Sequence, residues 1–471
     1  MNYNQLFSSF QDQPVAVALV GAGQFGATFI RQGTRIPGLQ IKLVCDLDRD
    51  RARAAVLAAG YKAAQISEAD TPEQAARALE AGQIVITSDF GLLAGLQLDC
   101  VVEATGNPAA AAEVAHTALS SGFHLAMVTK EADIVIGPYL HQMARRSGVH
   151  VTPVHGDQPS LLIALISWAE TLGMTVLGAG KSSEYDFVFD LENNQVSWRG
   201  KTETVTNLKE LWALGGAVDE GLARREAGLS AFPKRTVPDL CEMGIVCNHT
   251  GLLPDRAVFH APHARVTELC DIFAPHEDRG ILGQTPFIDV FNCMRRTDEQ
   301  SFGGGVFVIV DTEGDDSWEV LREKGISVSQ DGKRALLYNP SHLLGLEAAI
   351  SVMSTVWLDK PTGSQDIRHH VDLHARASRD WSAGEYLAIT DHHHHEIDGL
   401  WAELNPAALS GSNGPLPYYM AAGNQLAVDV KQGMLITTDM VVPPDQSVLW
   451  QIRAQMETDA HSGSPDFQKG N

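Results

Sequence analysis

Lys and Arg total 35 against 58 Asp and Glu over 471 residues, a formal net charge of −23. Binding to nucleic acid or to an anionic membrane rests on clustered basic side chains, so this balance argues against both as partners. Hydrophobic residues at 44% and charged residues at 20% describe an ordinary globular chain, long enough for two or three domains.

No apolar run reaches the ~18 residues that cross a bilayer. The first ten residues show neither the basic nor the apolar region of a secretory signal, so a cytoplasmic location is expected. Six cysteines without a CxxC pair (Cys45, Cys100, Cys241, Cys247, Cys270, Cys293) read as reduced and buried.

From residue 14 to 156 short apolar runs alternate with Ala-rich stretches. Strands are expected at 15–20, 41–46, 100–104, 124–129 and 150–154. Helices are expected at 24–33, 49–59, 71–81, 109–120 and 137–147. This alternation is the pattern of βαβ units on a parallel sheet. Residues 157–370 read as a central α+β catalytic domain, with a helix at 160–172, strands at 186–189 and 302–311, and a polar connection at 201–234. The apolar segment 343–358 reads as a helix that packs back on the first domain. Short β-like runs at 386–389 and 425–430 mark a small β-rich domain over 371–455. The polar end, 456–471, reads as a disordered tail.

Gly21, Gly23 and Gly26 follow the first strand in the spacing GxGxxG. The first glycine permits the tight turn and the second leaves the backbone bare for a pyrophosphate. The third lets the helix sit close to the strand. Gln24 and Phe25 complete the loop. Asp46 ends the second strand about 20 residues after Gly26, where a carboxylate can bond the adenosine ribose. Asp46 argues for NAD, whereas Arg49 and Arg51 could pair with the 2′-phosphate of NADP, and the choice stays open.

Ligands of doubly wound sheets lie beyond the carboxyl ends of the strands. Thr105 and Gly106 could line the nicotinamide ribose there. Lys130, beside Glu131, stands where a cation can polarise or protonate a carbonyl oxygen. Asp157 is open to a helix-capping or a substrate role. Lys181 and Glu184, in the run 180–186, could bind an anionic substrate or a divalent ion, or belong to a solvated loop. His342 and Glu347 start a helix at a spacing that does not put them on one face. The run 392–395, four histidines, is open to an adventitious metal role or to an exposed loop; no metal ligand set is assigned.

The order of the glycine turn, then Glu103, Ala104, Thr105 and Gly106, then the segment ending Val128, Thr129, Lys130 and Glu131, resembles the nucleotide domain of homoserine dehydrogenases. That resemblance makes Lys130 an active-site candidate. The central motifs around Asp157, 181–186 and 339–347 look like the divergent branch of reductoisomerase-like (DXR-like) oxidoreductases. Residues 375–385 and 426–437 are similar to the SAF domain, a small β-clip module. Together the resemblances imply a Rossmann NAD(P) domain, a catalytic domain and a SAF-like domain. The reductoisomerase-like branch implies NADPH-dependent conversion of 1-deoxy-D-xylulose 5-phosphate to methylerythritol 4-phosphate with a divalent cation (Mg or Mn). A plain homoserine or sugar-acid dehydrogenase, and a non-catalytic NAD(P)-binding sensor, are the competing expectations. The expected partner is a small polar substrate, phosphorylated in the reductoisomerase case, and a homo-oligomer is expected.

Overall fold

The computed structural model describes residues 2–10, 12–312, 317–391, 395–408 and 413–461. The chain forms two compact units, one of residues 1–160, 343–388 and 407–471, the other of 161–342 and 389–406. The fold class is α/β: a Rossmann-like parallel sheet in the first unit and a mixed sheet in the second.

The first unit is built on strands β1 (Val15–Val20), β2 (Leu39–Cys45), β3 (Ile66–Glu68), β4 (Ile84–Thr87), β5 (Cys100–Glu103), β6 (His124–Met127) and β7 (Val151–Pro153). They lie in the order β3-β4-β2-β1-β5-β6-β7 and every pairing is parallel. Parallel strands covered on both faces read as continuous apolar runs, which is why Val15–Val20 is VAVALV and almost wholly buried. The order reverses at β1, whose neighbours are β2 and β5. β3 and β4, three and four residues long, were not expected from the sequence, because so short a run shows no period.

The helices Gln24–Gly33, Arg49–Ala58, Pro72–Glu80 and Pro108–Ser120 stand where expected. The next helix does not: it runs Lys130–Ser147 rather than from 137. Ile134, Val135 and Ile136 are β-branched and Pro138 removes a helical N–H, so local propensity reads against a helix here. Burial overrides it, since residues from Glu131 to Gln142 are all buried in this helix.

Helix Ala348–Leu358 packs Ala348, Ala349, Val352 and Met353 into the same core as Val15, Val17 and Leu19. At the C-terminus the tail expectation is corrected in part, because helix Val448–His461 takes up residues 456–461. Leu449, Ile452 and Met456 recur at helical spacing and are buried, while 462–471 lie outside the described residues. Between these helices the chain forms short antiparallel bridges, among them Arg376 with Leu435, Trp381 with Val430 and Tyr386 with Gln425. Among the described residues no helix is long and apolar enough to cross a membrane.

The second unit centres on β8 (Val176–Asp190), a strand far longer than the 186–189 expected. It is followed by β9 (Gln195–Trp198) and β10 (Lys201–Thr204). β8 pairs in parallel with the strand Phe287–Arg296 and antiparallel with Val306–Asp311, which in turn pairs with Arg334–Asn339. The polar stretch expected only as a connection holds β10 and the helices Leu208–Trp212 and Val218–Gly228.

The glycines of the first turn make a test of this packing. A Cβ on Gly26 would lie 2.1 Å from the Gly21 carbonyl oxygen, and one on Gly21 would lie 2.2 Å from the Ala104 carbonyl oxygen at φ +104°. Gly23 differs, since its Cβ would meet nothing within 4 Å. Gly26→Ala and Gly21→Ala are therefore expected to lower stability by roughly 2–4 kcal/mol, with Gly23→Ala within about 1 kcal/mol of the parent. Thermal melts of the three variants decide it; equal melting of all three contradicts the close approach.

Candidate active site

All strands of the first sheet run the same way, so their carboxyl ends share one edge. In sheet order that edge presents Asp46, residues 21–26, Thr105 with Gly106, Thr129 with Lys130, and residues 155–157.

The glycine turn is shaped for an anion. Helix Gln24–Gly33 has Gly23 as its N-cap, with no side-chain bond to the first turn. Its first intrahelical bond is from Ala27 to Gly23. Among the described residues, the N–H groups of Gln24, Phe25 and Gly26 have no acceptor. Three bare amides at the positive end of a helix dipole, beside a glycine with free space, fit a pyrophosphate.

Asp46 is buried and its carboxylate is already fully engaged. Oδ2 accepts from Ala22 N–H at 2.7 Å and Oδ1 from Asp48 N–H at 2.9 Å. Arg51 donates to both oxygens, at 2.6 and 3.2 Å. Burial pushes this carboxyl upward, but the Arg51 guanidinium and the two backbone donors outweigh it and hold it below its ordinary 3.8. A carboxylate has about four lone-pair positions, so a ribose hydroxyl has to share or displace Arg51. Arg49 turns elsewhere: it donates to Ser88 Oγ and Asp70 and lies near Glu68. Of the two arginines after Asp46, Arg51 is the one that touches it.

On the other side of β1, Glu103 is fully buried at the end of β5. It accepts from Thr105 N–H and Oγ (2.8 and 2.6 Å) and from Thr129 N–H and Oγ (3.2 and 2.9 Å). Thr129 Oγ in turn accepts from Gly106 N–H at 2.9 Å. One carboxylate thus ties together the loops after β5 and β6 and sets the residue before Lys130. Burial raises the Glu103 carboxyl above its usual range more than its four hydrogen bonds lower it.

Lys130 begins its helix and places Nζ 3.2 Å from both oxygens of Asp157. A cation at a helix N-terminus opposes the dipole, and Asp157 offsets this. Asp157 also accepts from Gln158 N–H at 2.9 Å, so the capping and pairing roles coexist. Lys130 keeps a quarter of its side chain exposed, which leaves it reachable. Next to it His155 bonds Ser160 Oγ through Nδ1 at 2.7 Å, and burial lowers its pKa to about 4.

Two features of this edge were not read from sequence. Asp133, one turn beyond Lys130, is buried and among the described residues none donates to its carboxyl, whose pKa burial and then the Glu103 charge push up to about 7. Helix-interior placement was the signal, hidden because the helix was expected to begin later. The segment 343–347 is the second. Leu343 O would lie 2.6 Å from a Cβ on Gly156, and Phe25 O would lie 3.1 Å from one on Gly345. That segment therefore runs beside both the β7 end and the glycine turn, with Leu343, Leu344 and Leu346 exposed. Glu347 accepts from Leu343 N–H within it, and His342 bonds the Gly304 carbonyl through Nδ1.

In the second unit Lys181 and Glu184 lie within β8, not on a loop. Lys181 is fully buried with Asp239 at 3.0 Å and Glu242 in contact. Burial alone would discharge it, but Glu242 and Asp239 prevail and raise its pKa. Glu184 pairs instead with Arg199 at 2.7 Å. Among the described residues no three His, Cys, Asp or Glu side chains are placed to hold a metal ion. Of the histidine run, 392–394 lie outside the described residues.

Residues 229–348 match the family model described as oxidoreductase DRL, catalytic domain. A comparison with curated proteins returns no match. Among solved structures, the chain is similar to GenD2 from gentamicin A biosynthesis in complex with NAD, at 13% identity and TM-score 0.34, covering 74% of this chain and 88% of that one. A probable dehydrogenase from Thermotoga maritima gives 12% identity and TM-score 0.34, with 74% and 90% covered. DOX-P reductoisomerase with fosmidomycin and magnesium gives 14% identity and TM-score 0.29, with 50% and 57% covered. The family match is to an oxidoreductase, the reaction class that the sheet edge also suits.

Asp133 provides a test of the electrostatics described above. Its folded pKa of about 7 lies above the ordinary 3.8, so folding favours its protonated form. Its contribution is intact below pH ~4 and is lost as pH rises toward ~7. Asp133→Asn removes that loss. The variant is expected to gain roughly 1–4 kcal/mol on the parent between pH 4.5 and 8. Chemical denaturation at both values measures it, and a difference independent of pH refutes the assignment.

Proposed function

We propose that the protein is an NAD(P)-dependent oxidoreductase that moves a hydride to or from a hydroxyl–carbonyl pair of a small polar substrate. The observation that carries this reading is the trio of acceptor-free amides at Gln24, Phe25 and Gly26 beside the bare Gly23, on the same strand edge as the Lys130–Asp157 pair. The nicotinamide ring supplies or accepts the hydride when bound.

The residues of this chain do the rest. The amides 24–26 hold the pyrophosphate, and Asp46 with Arg51 faces the adenosine end. Leu47 is 91% exposed directly after Asp46 and offers an apolar face to the adenine ring. Glu103 positions Thr105 and Thr129. Lys130 Nζ holds a proton at the substrate oxygen as charge develops there, and Asp157 keeps the ammonium oriented. Leu343, Leu344 and Leu346 give the edge an apolar surface that limits water. The presence of Arg51 on Asp46 supports acceptance of NADP as well as NAD.

The narrower form of the proposal is reductoisomerisation of 1-deoxy-D-xylulose 5-phosphate. Its support is the reductoisomerase-like motifs around Asp157, 181–186 and 339–347, the last of which falls in the matched segment up to 348.

Two variants test the reading. Gly23→Val places a side chain in the space left for the phosphate while meeting no protein atom, so it is expected to fold normally and lose at least tenfold in dinucleotide affinity by calorimetry. Normal binding by this variant removes the pyrophosphate assignment. Lys130→Ala is expected to keep cofactor affinity and lose about 10²–10⁴ in turnover, followed at 340 nm over a panel of carbonyl substrates. Unchanged turnover removes Lys130 from the chemistry.

A further inference from the structure

The second unit contains a cavity of about 450 Å³ that none of the dinucleotide residues line. Its wall includes Lys234, Arg256, His260, His263 and His276, with Asp219 and Glu226. We infer that this cavity binds the oxyanion group, phosphate or carboxylate, of a small molecule.

The inference begins at His263. The residue is 3% exposed, its ring packs at a tilt against Phe187 with centroids 5.3 Å apart, and its Nε2 has no hydrogen-bond partner among the described residues. A buried imidazole nitrogen left unpaired is destabilising, and a ligand oxygen in the cavity removes that cost. The electrostatic environment at the ring is set first by burial and then by Lys234 and Arg225, both cations, and together they lower its pKa to about 3. The ring is therefore neutral at pH 7, able to offer one N–H inside a positive environment.

The charges around it are distributed in the same sense. Arg225 is consumed by Glu268 and by three backbone carbonyls, so its charge is fixed in the wall. Lys234 contacts Glu226, but that carboxylate is largely in solvent, and burial still brings Lys234 below its usual range. Arg256 has no partner for its guanidinium among the described residues. The two acids, Asp219 and Glu226, are both exposed, on helix Val218–Gly228. The cations Arg225 and Lys234 are thus buried or half-buried, whereas Arg256 and the two acids reach the surface.

The loop carrying the histidines is built at a cost. Phe259 and Ala261, on either side of His260, have φ of +56° and +46°. Such angles are unfavourable for residues with side chains. Buried Asp289 holds the loop by accepting N–H groups of His260, Ala261 and Val290, and Asn292 Nδ2 donates to Ala261 O at 2.9 Å. His260 then bonds Asp255 at 2.7 Å through Nε2.

The test uses the full chain and does not depend on the dinucleotide reading. Melting is measured in inorganic phosphate, in malonate and in chloride at equal ionic strength. Phosphate or malonate is expected to raise Tm by about 1–4 °C over chloride at tenfold excess over Kd. A response to phosphate alone identifies a tetrahedral ligand group, and one to malonate alone a carboxylate. Lys234→Met and His263→Leu are each expected to weaken the response at least fivefold. Lys234 is half-buried, so its variant remains informative if the His263 change perturbs folding. Gly23→Val, which disables only the pyrophosphate turn, should respond like the parent. No stabilisation of the parent by either anion overturns the inference. So does a Lys234→Met response equal to that of the parent, or loss of the response in Gly23→Val.

Discussion

The carbonyl oxygen of Gly21 leaves no room for a methyl group on Gly26, and the carbonyl oxygen of Ala104 leaves none for one on Gly21. A Cβ on Gly26 or Gly21 would come within 2.1–2.2 Å of backbone oxygen. The end of β1, the start of the helix and the end of β5 are therefore in direct backbone contact. That contact lets Ala22 N–H reach Asp46 on β2, and Asp46 then fixes Asp48 and Arg51. On the β5 side it brings Thr105 into place, and through Glu103 the loop before Lys130.

Buried carboxylates in this chain divide by what accompanies them. Asp372 is as buried as Asp133, but Arg453 meets it with two hydrogen bonds of 2.8 and 2.9 Å, and the cation outweighs desolvation so that the carboxyl stays ionised. Glu268 with Arg225 follows the same rule, and Asp239 and Glu242 are likewise paired, with Lys181. Removing one partner of such a pair leaves a buried charge and costs about 3–5 kcal/mol. Glu103 has only neutral donors and Asp133 has none, and in both burial prevails. The two uncompensated carboxyls sit together beneath Thr129 and Lys130. A third such carboxyl lies in the second unit, where Asp289 accepts only N–H groups and burial pushes its pKa up to about 6.

What could be read from the chain follows from the range of the interactions. Residues 15–33 were legible to the residue, because an apolar run, three glycines and a helical period are all local signals. β3 and β4 were hidden by their length. The start of helix Lys130–Ser147 was hidden by β-branched residues and Pro138, whose preferences yield to burial among distant elements. The run 181–183 stayed open between an anion- or metal-binding role and a solvated loop, because its partners Asp239 and Glu242 stand some 60 residues away. A strand interior can hold such polar residues only when those partners arrive, and nothing in the local pattern announces them. Arg51 was legible as a cation near Asp46. Its bidentate hold on that carboxylate was not, since both Arg49 and Arg51 lie within reach by spacing alone.

For a chain of net charge −23 to hold an anion, long-range and short-range electrostatics have to be separated. At physiological ionic strength charges are screened over about 8 Å, so the acidic surface as a whole contributes little inside a cleft. Most of the basic side chains that carry the remaining field are already tied to acids, as Arg53 is to Glu68 and Arg199 to Glu184. Backbone amides escape this competition. They carry no net charge for a nearby carboxylate to neutralise, and a helix terminus concentrates their dipoles within one turn. A neutral buried imidazole escapes it for a similar reason, because only a ligand small enough to enter the cavity reaches its nitrogen. Peptide N–H groups and a buried neutral histidine are therefore the donors for which an acidic surface does not compete.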